Sequence, residues 1–148
     1  RRIGDAQLLR ARQFREDNGP LAHPVRPESF VEINNFYTVT VYEKGAEVIG
    51  MLRRLVGEDG YGRAVARYLS DNDGRAATVE DWLAAFEAET GRDLGQFKLW
   101  YSQAGTPRVR VSEDWDGATY RLTLSQETPP TPGQPGKRPM VIPVAVGL

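Results

Sequence analysis

The sequence predicts an α+β chain that is mostly helical through residue 104 and stranded beyond it. Three observations carry this. Between Tyr42 and Tyr101, apolar side chains recur at three- and four-residue spacing, the period of a half-buried helix. Capping residues and glycines cut that run into separate helices. At Gly105-Thr106-Pro107 the spacing changes to alternation, with Val109, Val111, Tyr120, Leu122 and Leu124 separated by polar residues. The expected units are therefore 1–104 and 105–148. With 148 residues, 40% of them hydrophobic and 26% charged, the chain is long enough for one domain or one and a fraction.

Ala6, Leu8, Leu9 and Phe14 predict a first helix over 3–14 with a modest apolar face, stopped by Asp17-Asn18-Gly19-Pro20. Three prolines between Pro20 and Glu28 predict an extended loop, because each pushes its predecessor out of the helical region. Phe30, Val31, Ile33 and then Phe36 to Val41 alternate well enough for a strand, although Asn34-Asn35 suits a turn.

The best helix begins next. Thr40 and Glu43 have capping-box spacing, which makes Thr40 the N-cap and Glu43 its partner. From Tyr42 the apolar stripe runs through Ala46, Ile49, Leu52 and Val56, and Gly57 supplies the stop. Such a helix would hold a Tyr42 hydroxyl rigidly near its N-terminal end. A tyrosine on an apolar helix face is, however, ordinarily a core residue.

Tyr61, Ala64, Val65, Tyr68 and Leu69 mark a second, short helix closed by Asp71-Asn72-Asp73-Gly74. That turn lacks the alternating acids and distal glutamate of a calcium loop. Thr78 caps a third helix, with Glu80 and Asp81 in its first turn, Trp82, Leu83, Ala85 and Phe86 facing inward, and Gly91 ending it. Asp93 caps a last helix in which Leu94, Phe97, Trp100 and Tyr101 form core. The arginines among these helices are interspersed with acids, as on a solvated face.

Beyond Gly105, the residues around 109–111 and 120–125 predict half-buried strands joined through Asp116-Gly117, and Met140 to Val146 a third. The proline-rich connection between them could serve as a groove ligand or simply as a strand connection. Net charge is −1 with no basic block, so nucleic acid is not an expected partner. No apolar run is long enough to span a bilayer, and membrane is not an expected partner either. The absence of cysteine fits a reducing, cytoplasmic compartment.

The run Asn34-Asn35-Phe36-Tyr37-Thr38-Val39-Thr40-Val41-Tyr42-Glu43-Lys44-Gly45-Ala46 closely resembles the bacterial aminopeptidase N family, zinc aminopeptidases of the gluzincin clan. Three more runs resemble it in the same order: Gln13 to Asp17, Leu21-Ala22-His23-Pro24-Val25-Arg26-Pro27, and Trp100 to Pro107. The resemblance implies the helical C-terminal half of a thermolysin-like catalytic domain, followed by the first strands of a β-sandwich. It implies that Tyr42 is catalytic, donating to the oxyanion formed on the peptide carbonyl, and that Tyr37 is substrate-binding, lining the pocket for the first side chain.

The family's zinc ligands and general base, an H-E-x-x-H helix with a further glutamate, have no counterpart here. His23 is the only histidine, so a ligand set is not expected within the chain. The expectation is an internal fragment from downstream of the zinc site. It would be inactive alone, prone to self-association, and dependent on the rest of its parent for zinc and for work on peptides. The competing expectations are a non-catalytic protein-interaction module and a homologue that has lost its metal.

Overall fold

The structure, a computed structural model, describes residues 2–147. The chain opens with a helical rod over 2–17, made of α1 (Arg2–Leu8), a π-wound segment (Leu9–Gln13) and α2 (Phe14–Asp17). In the π segment the Phe14 N–H reaches back to the Leu9 carbonyl. Of the expected apolar face, Ala6, Leu8 and Leu9 are half-buried and Phe14 is exposed. Gln13 and Asp17 are its buried residues, while Ile3 and Phe14 are exposed, because the rod docks through polar partners rather than through oil.

The proline-bearing stretch is irregular and ends against the last helix, where the Arg26 N–H donates to the Tyr101 carbonyl at 3.0 Å. A 3₁₀ turn (Ile33–Phe36) follows, so Asn34-Asn35 makes a turn and no strand forms there. After a π turn (Thr40–Lys44) comes α3 (Gly45–Val56). Its buried side is Gly45, Val48 and Leu52; Ala46 and Ile49 are exposed. The expected stripe is thus buried in its C-terminal part, at Val48, Leu52 and the half-buried Val56, and exposed in its N-terminal part, at Tyr42, Ala46 and Ile49. Apolar residues occupy both the 42/46/49 and the 45/48/52 series, and helical periodicity does not choose between two valid series.

Gly57, at φ +79°, ends α3 and starts α4 (Glu58–Asn72), which is longer than Tyr61–Leu69 suggested. Thr78 caps α5 (Val79–Thr90) and Gly91 closes it in the left-handed conformation, both as expected, and Asp81 completes a capping box with Thr78. The helices α4 and α5 cross closely at Gly60, where a Cβ would lie 3.2 Å from the Thr90 methyl. Tyr61 and Tyr68 meet Trp82 edge-on at 6.4 and 5.1 Å. The last helix is not continuous: Asp93 caps only the Gly95 N–H, and turns lead into α6 (Leu99–Ser102). The residues expected to be core here are core, since Leu94, Phe97, Trp100 and Tyr101 join Leu52, Ala64, Leu83 and Phe86.

The strands β1 (Arg108–Trp115) and β2 (Tyr120–Glu127) pair antiparallel, with Arg108 opposite Glu127 and Trp115 opposite Tyr120. They are exposed on both faces rather than half-buried, because among the described residues no second layer covers them. The third strand does not form. Met140 instead exchanges two hydrogen bonds with the Gln126 side chain and buries its own side chain in the helical core. Pro139 and Pro143 bring no N–H to a ladder. The proline-rich connection is strapped down: Gln134 bonds Ala104 and Ser102, Lys137 donates to the Ala104 carbonyl, and Gln103 exchanges bonds with Arg138. Among the described residues no helix is long and apolar enough to cross a membrane.

Arg26 and Lys98 both donate to Glu80 at 2.8 Å, tying the loop and the α6 approach to α5. Hydrogen bonds from Lys98 and then Arg26 lower the Glu80 carboxyl from its ordinary 4.5 to about 2. A depressed folded value stabilises the fold above the unfolded value and loses that contribution as pH falls. The expected result is that Glu80→Gln lowers the unfolding midpoint at neutral pH. The gap to the unsubstituted protein should close as pH falls from 4.5 to about 2. Parallel thermal melts across that range test it.

Candidate functional site

Tyr37 and Tyr42 stand side by side at the surface, their rings stacked at 26° with centroids 6.1 Å apart. Each is 58% exposed, so neither is a core residue. For Tyr42 this follows from the stripe that α3 buries: Val48 and Leu52 go inward, which leaves the Tyr42–Ala46–Ile49 series outside. Phe36 packs edge-on against Tyr37 and Phe30 against Phe36, extending the aromatic row toward exposed Val31 and Ile33.

Local backbone geometry brings the two tyrosines together. Tyr37 lies at φ −85° and ψ 69°, with the Thr38 N–H bonded to the Phe36 carbonyl at 3.0 Å, which is an inverse γ-turn. The helix starts immediately after it. The Thr38 hydroxyl accepts from the Val41 N–H at 3.2 Å, and the Thr38 carbonyl from the Tyr42 N–H at 3.1 Å. Thr38 is thus the N-cap, and the capping box of Thr40 with Glu43 is not formed.

Thr40 already lies inside the first turn. Its N–H donates to Glu16 Oε1 at 3.0 Å and its hydroxyl accepts from Gln13 Nε2 at 3.3 Å. The carboxylate that satisfies this helix end thus comes from 24 residues upstream, in the rod. The Gly45 N–H reaches the Thr40 carbonyl, giving the π winding of the turn that carries Tyr42.

Beneath that turn is a buried charge pair. Lys44 Nζ donates to Asp17 Oδ2 at 2.7 Å and to the Gly105 carbonyl at 3.1 Å. Asp17 also accepts from the Gly105 N–H at 2.7 Å and from the Thr106 hydroxyl at 2.9 Å. Asp17 is 0% and Lys44 6% exposed. Burial lowers the Lys44 pKa below its ordinary 10.5, against the opposing pull of Asp17. Gly105, at φ +94°, must be glycine, since a Cβ there would also lie 3.1 Å from the Thr131 methyl. Gln13, Glu16 and Asp17, which brace the Tyr42 turn, stood out in the sequence only as part of the Gln13 to Asp17 run that carries the resemblance, with no role assigned to them.

His23 Nδ1 lies 2.8 Å from the Leu21 carbonyl and Nε2 2.8 Å from the Thr38 hydroxyl. Both ring nitrogens are therefore engaged. Among the described residues no three His, Cys, Asp or Glu side chains are grouped to hold a metal ion. The residues present do not fit a catalytic zinc. What the site offers is an exposed phenolic donor on a helix start fixed from outside by Glu16, Gln13 and Asp17, with a second aromatic ring beside it.

The model of the Peptidase family M1 domain matches residues 6–101, and that described as "Domain of unknown function (DUF3458) Ig-like fold" matches residues 105–148. The chain is 52% identical to aminopeptidase N of Haemophilus influenzae and 48% identical to aminopeptidase N of Escherichia coli, over 99% of its own length in each case. It spans 17% of the length of each of these relatives. A crystal structure of Legionella pneumophila aminopeptidase A in complex with aspartic acid superposes with a TM-score of 0.67 at 27% identity. That match covers 83% of this chain and 16% of the other.

Proposed function

The chain belongs to the M1 peptidase family, and on that premise we propose that it works as part of a zinc aminopeptidase in which Tyr42 binds the oxyanion and Tyr37 bounds the pocket for the substrate's first side chain. In this proposal 1–104 is the helical part of the catalytic domain and 105–148 the opening of a β-sandwich. The zinc and its ligands lie outside this chain. The chain alone is inactive, and the compartment is the cytoplasm, in keeping with the absence of cysteine.

One observation carries the proposal: Tyr42 is exposed on a helix start that neighbouring elements hold in place. When a peptide carbonyl is attacked, negative charge grows on its oxygen, and a donor already aimed there stabilises the transition state without reorganising. A phenol O–H is such a donor, neutral and able to give one hydrogen bond. Tyr37, stacked on the Tyr42 ring, limits where a side chain can lie beside that oxygen.

A second reading, a non-catalytic interaction module, is favoured by the exposed row of Phe30, Val31 and Ile33. The two are separated by intact mass, zinc content and peptide hydrolysis of the full source polypeptide. The expected result is a chain several times 16.5 kDa that carries about one zinc and releases N-terminal residues, while residues 1–148 alone release none. A metal-free source protein that releases nothing overturns the proposal.

A further inference from the structure

The geometry points to His23 and Thr38 as positioning residues for Tyr42, a hydrogen-bonded relay that sets where the phenol's helix begins. This rests on the proposed oxyanion role of Tyr42.

For a neutral His23 ring the relay has one consistent set of donors. A carbonyl can only accept, so the ring nitrogen facing the Leu21 carbonyl, Nδ1, carries the proton. In the neutral ring Nε2 is then an acceptor, and the Thr38 hydroxyl, 2.8 Å away, donates to it. With its proton so committed, the Thr38 oxygen presents a lone pair to the Val41 N–H at 3.2 Å. The Thr38 carbonyl takes the Tyr42 N–H itself. His23 thus fixes the Thr38 rotamer, and Thr38 fixes the first two hydrogen bonds of the turn on which Tyr42 stands.

The charged group facing the ring is Glu16, whose Oε1 lies 3.8 Å from Nε2 while accepting from the Thr40 N–H. The free N–H groups of this helix end are therefore met from two sides, by Thr38 with His23 behind it and by Glu16. The extended loop earns its order here: it delivers a histidine to a cap 15 residues further along the chain. Both residues act through the backbone of the turn that carries Tyr42.

The test is a mutant cycle in the full-length protein. Thr38→Val keeps the shape and removes the hydroxyl. It should lower kcat roughly three- to tenfold at nearly constant KM, the worth of one oriented hydrogen bond. Thr38→Ser, which restores the hydroxyl, should recover most of the loss. His23→Phe, which keeps a ring but no nitrogen, should cost about as much as Thr38→Val, and the two together no more than the larger alone.

In a Tyr42→Phe background the same substitutions should cost almost nothing more. Equal losses in both backgrounds overturn the inference, as does a serine variant that fails to recover or a kcat loss that merely follows a fall in Tm. If Tyr42→Phe itself leaves kcat intact, the oxyanion proposal has failed first. The two failures are thus told apart by the Tyr42→Phe measurement alone.

Discussion

Tyr42→Phe in the full-length protein is expected to lower kcat by about 10²–10³-fold, the usual effect of removing one oxyanion donor, or about 2.7–4 kcal/mol. KM should change little, because the bond strengthens only as charge moves onto the carbonyl oxygen. The substitution deletes a single oxygen from a side chain that is 58% exposed, so no cavity opens and no buried partner is orphaned. Stability should accordingly stay within about 0.5 kcal/mol. Steady-state kinetics beside a thermal melt check both halves. A variant with unchanged kcat would make Tyr42 a surface aromatic and leave the interaction-module reading in possession of the site.

The proposal that Tyr42 is a site residue drew on the resemblance carried by Tyr42-Glu43-Lys44-Gly45-Ala46, since the residues by themselves favoured a core tyrosine. The exposure that distinguishes the two depends on which of two apolar series α3 buries. Val48 and Leu52 win because they face Ala64, Leu83 and Phe86 on other helices, a long-range fact with no local signature. The cap failed for the same reason. Local rules paired Thr40 with Glu43, whereas Glu16 meets the Thr40 N–H from 24 residues away. The cap expected at Thr78 did form, completed by Asp81, because no distant carboxylate among the described residues competes for that helix end.

The sheet shows the same division. Alternation and Asp116-Gly117 located the hairpin, where Asp116 caps the Ala118 and Thr119 N–H groups and Gly117 sits at φ +97°. Apolar alternation in Met140–Val146 did not produce a strand, because a strand needs a partner edge and Gln126 answers only Met140. The same segment spends Met140 on the helical core and the Val141 carbonyl on Trp100 Nε1 at 2.7 Å. Elements closed by neighbours in sequence could be read; those closed by distant polar atoms could not.

The buried pair of Asp17 and Lys44 is expected to give the largest stability effect in the chain. Lys44→Met should destabilise the full-length protein by about 3–5 kcal/mol, because buried Asp17 loses its cation and keeps only Gly105 and Thr106 as partners. Asp17→Leu should cost less than that, since a lysine whose pKa burial already lowers can shed its proton rather than remain charged without a partner. The double variant should be more stable than the sum of the singles predicts, an apolar pair in place of an ionic one.

The pH dependence has a definite sign. Lys44 titrates below 10.5 in the fold and near it in the unfolded chain, so between the two values the unfolded chain binds more protons and stability rises with pH. Lys44→Met should remove that rise, measured as the slope of Tm against pH below 10.5. Because the pair joins the rod, the Tyr42 turn and the Gly105 junction, Lys44→Met should also lower kcat more than Thr38→Val does, through the same phenol. A Lys44→Met protein with an unchanged melt and full turnover would mean that the junction holds without its charges, and that the turn carrying Tyr42 is set by Glu16 and Thr38 alone.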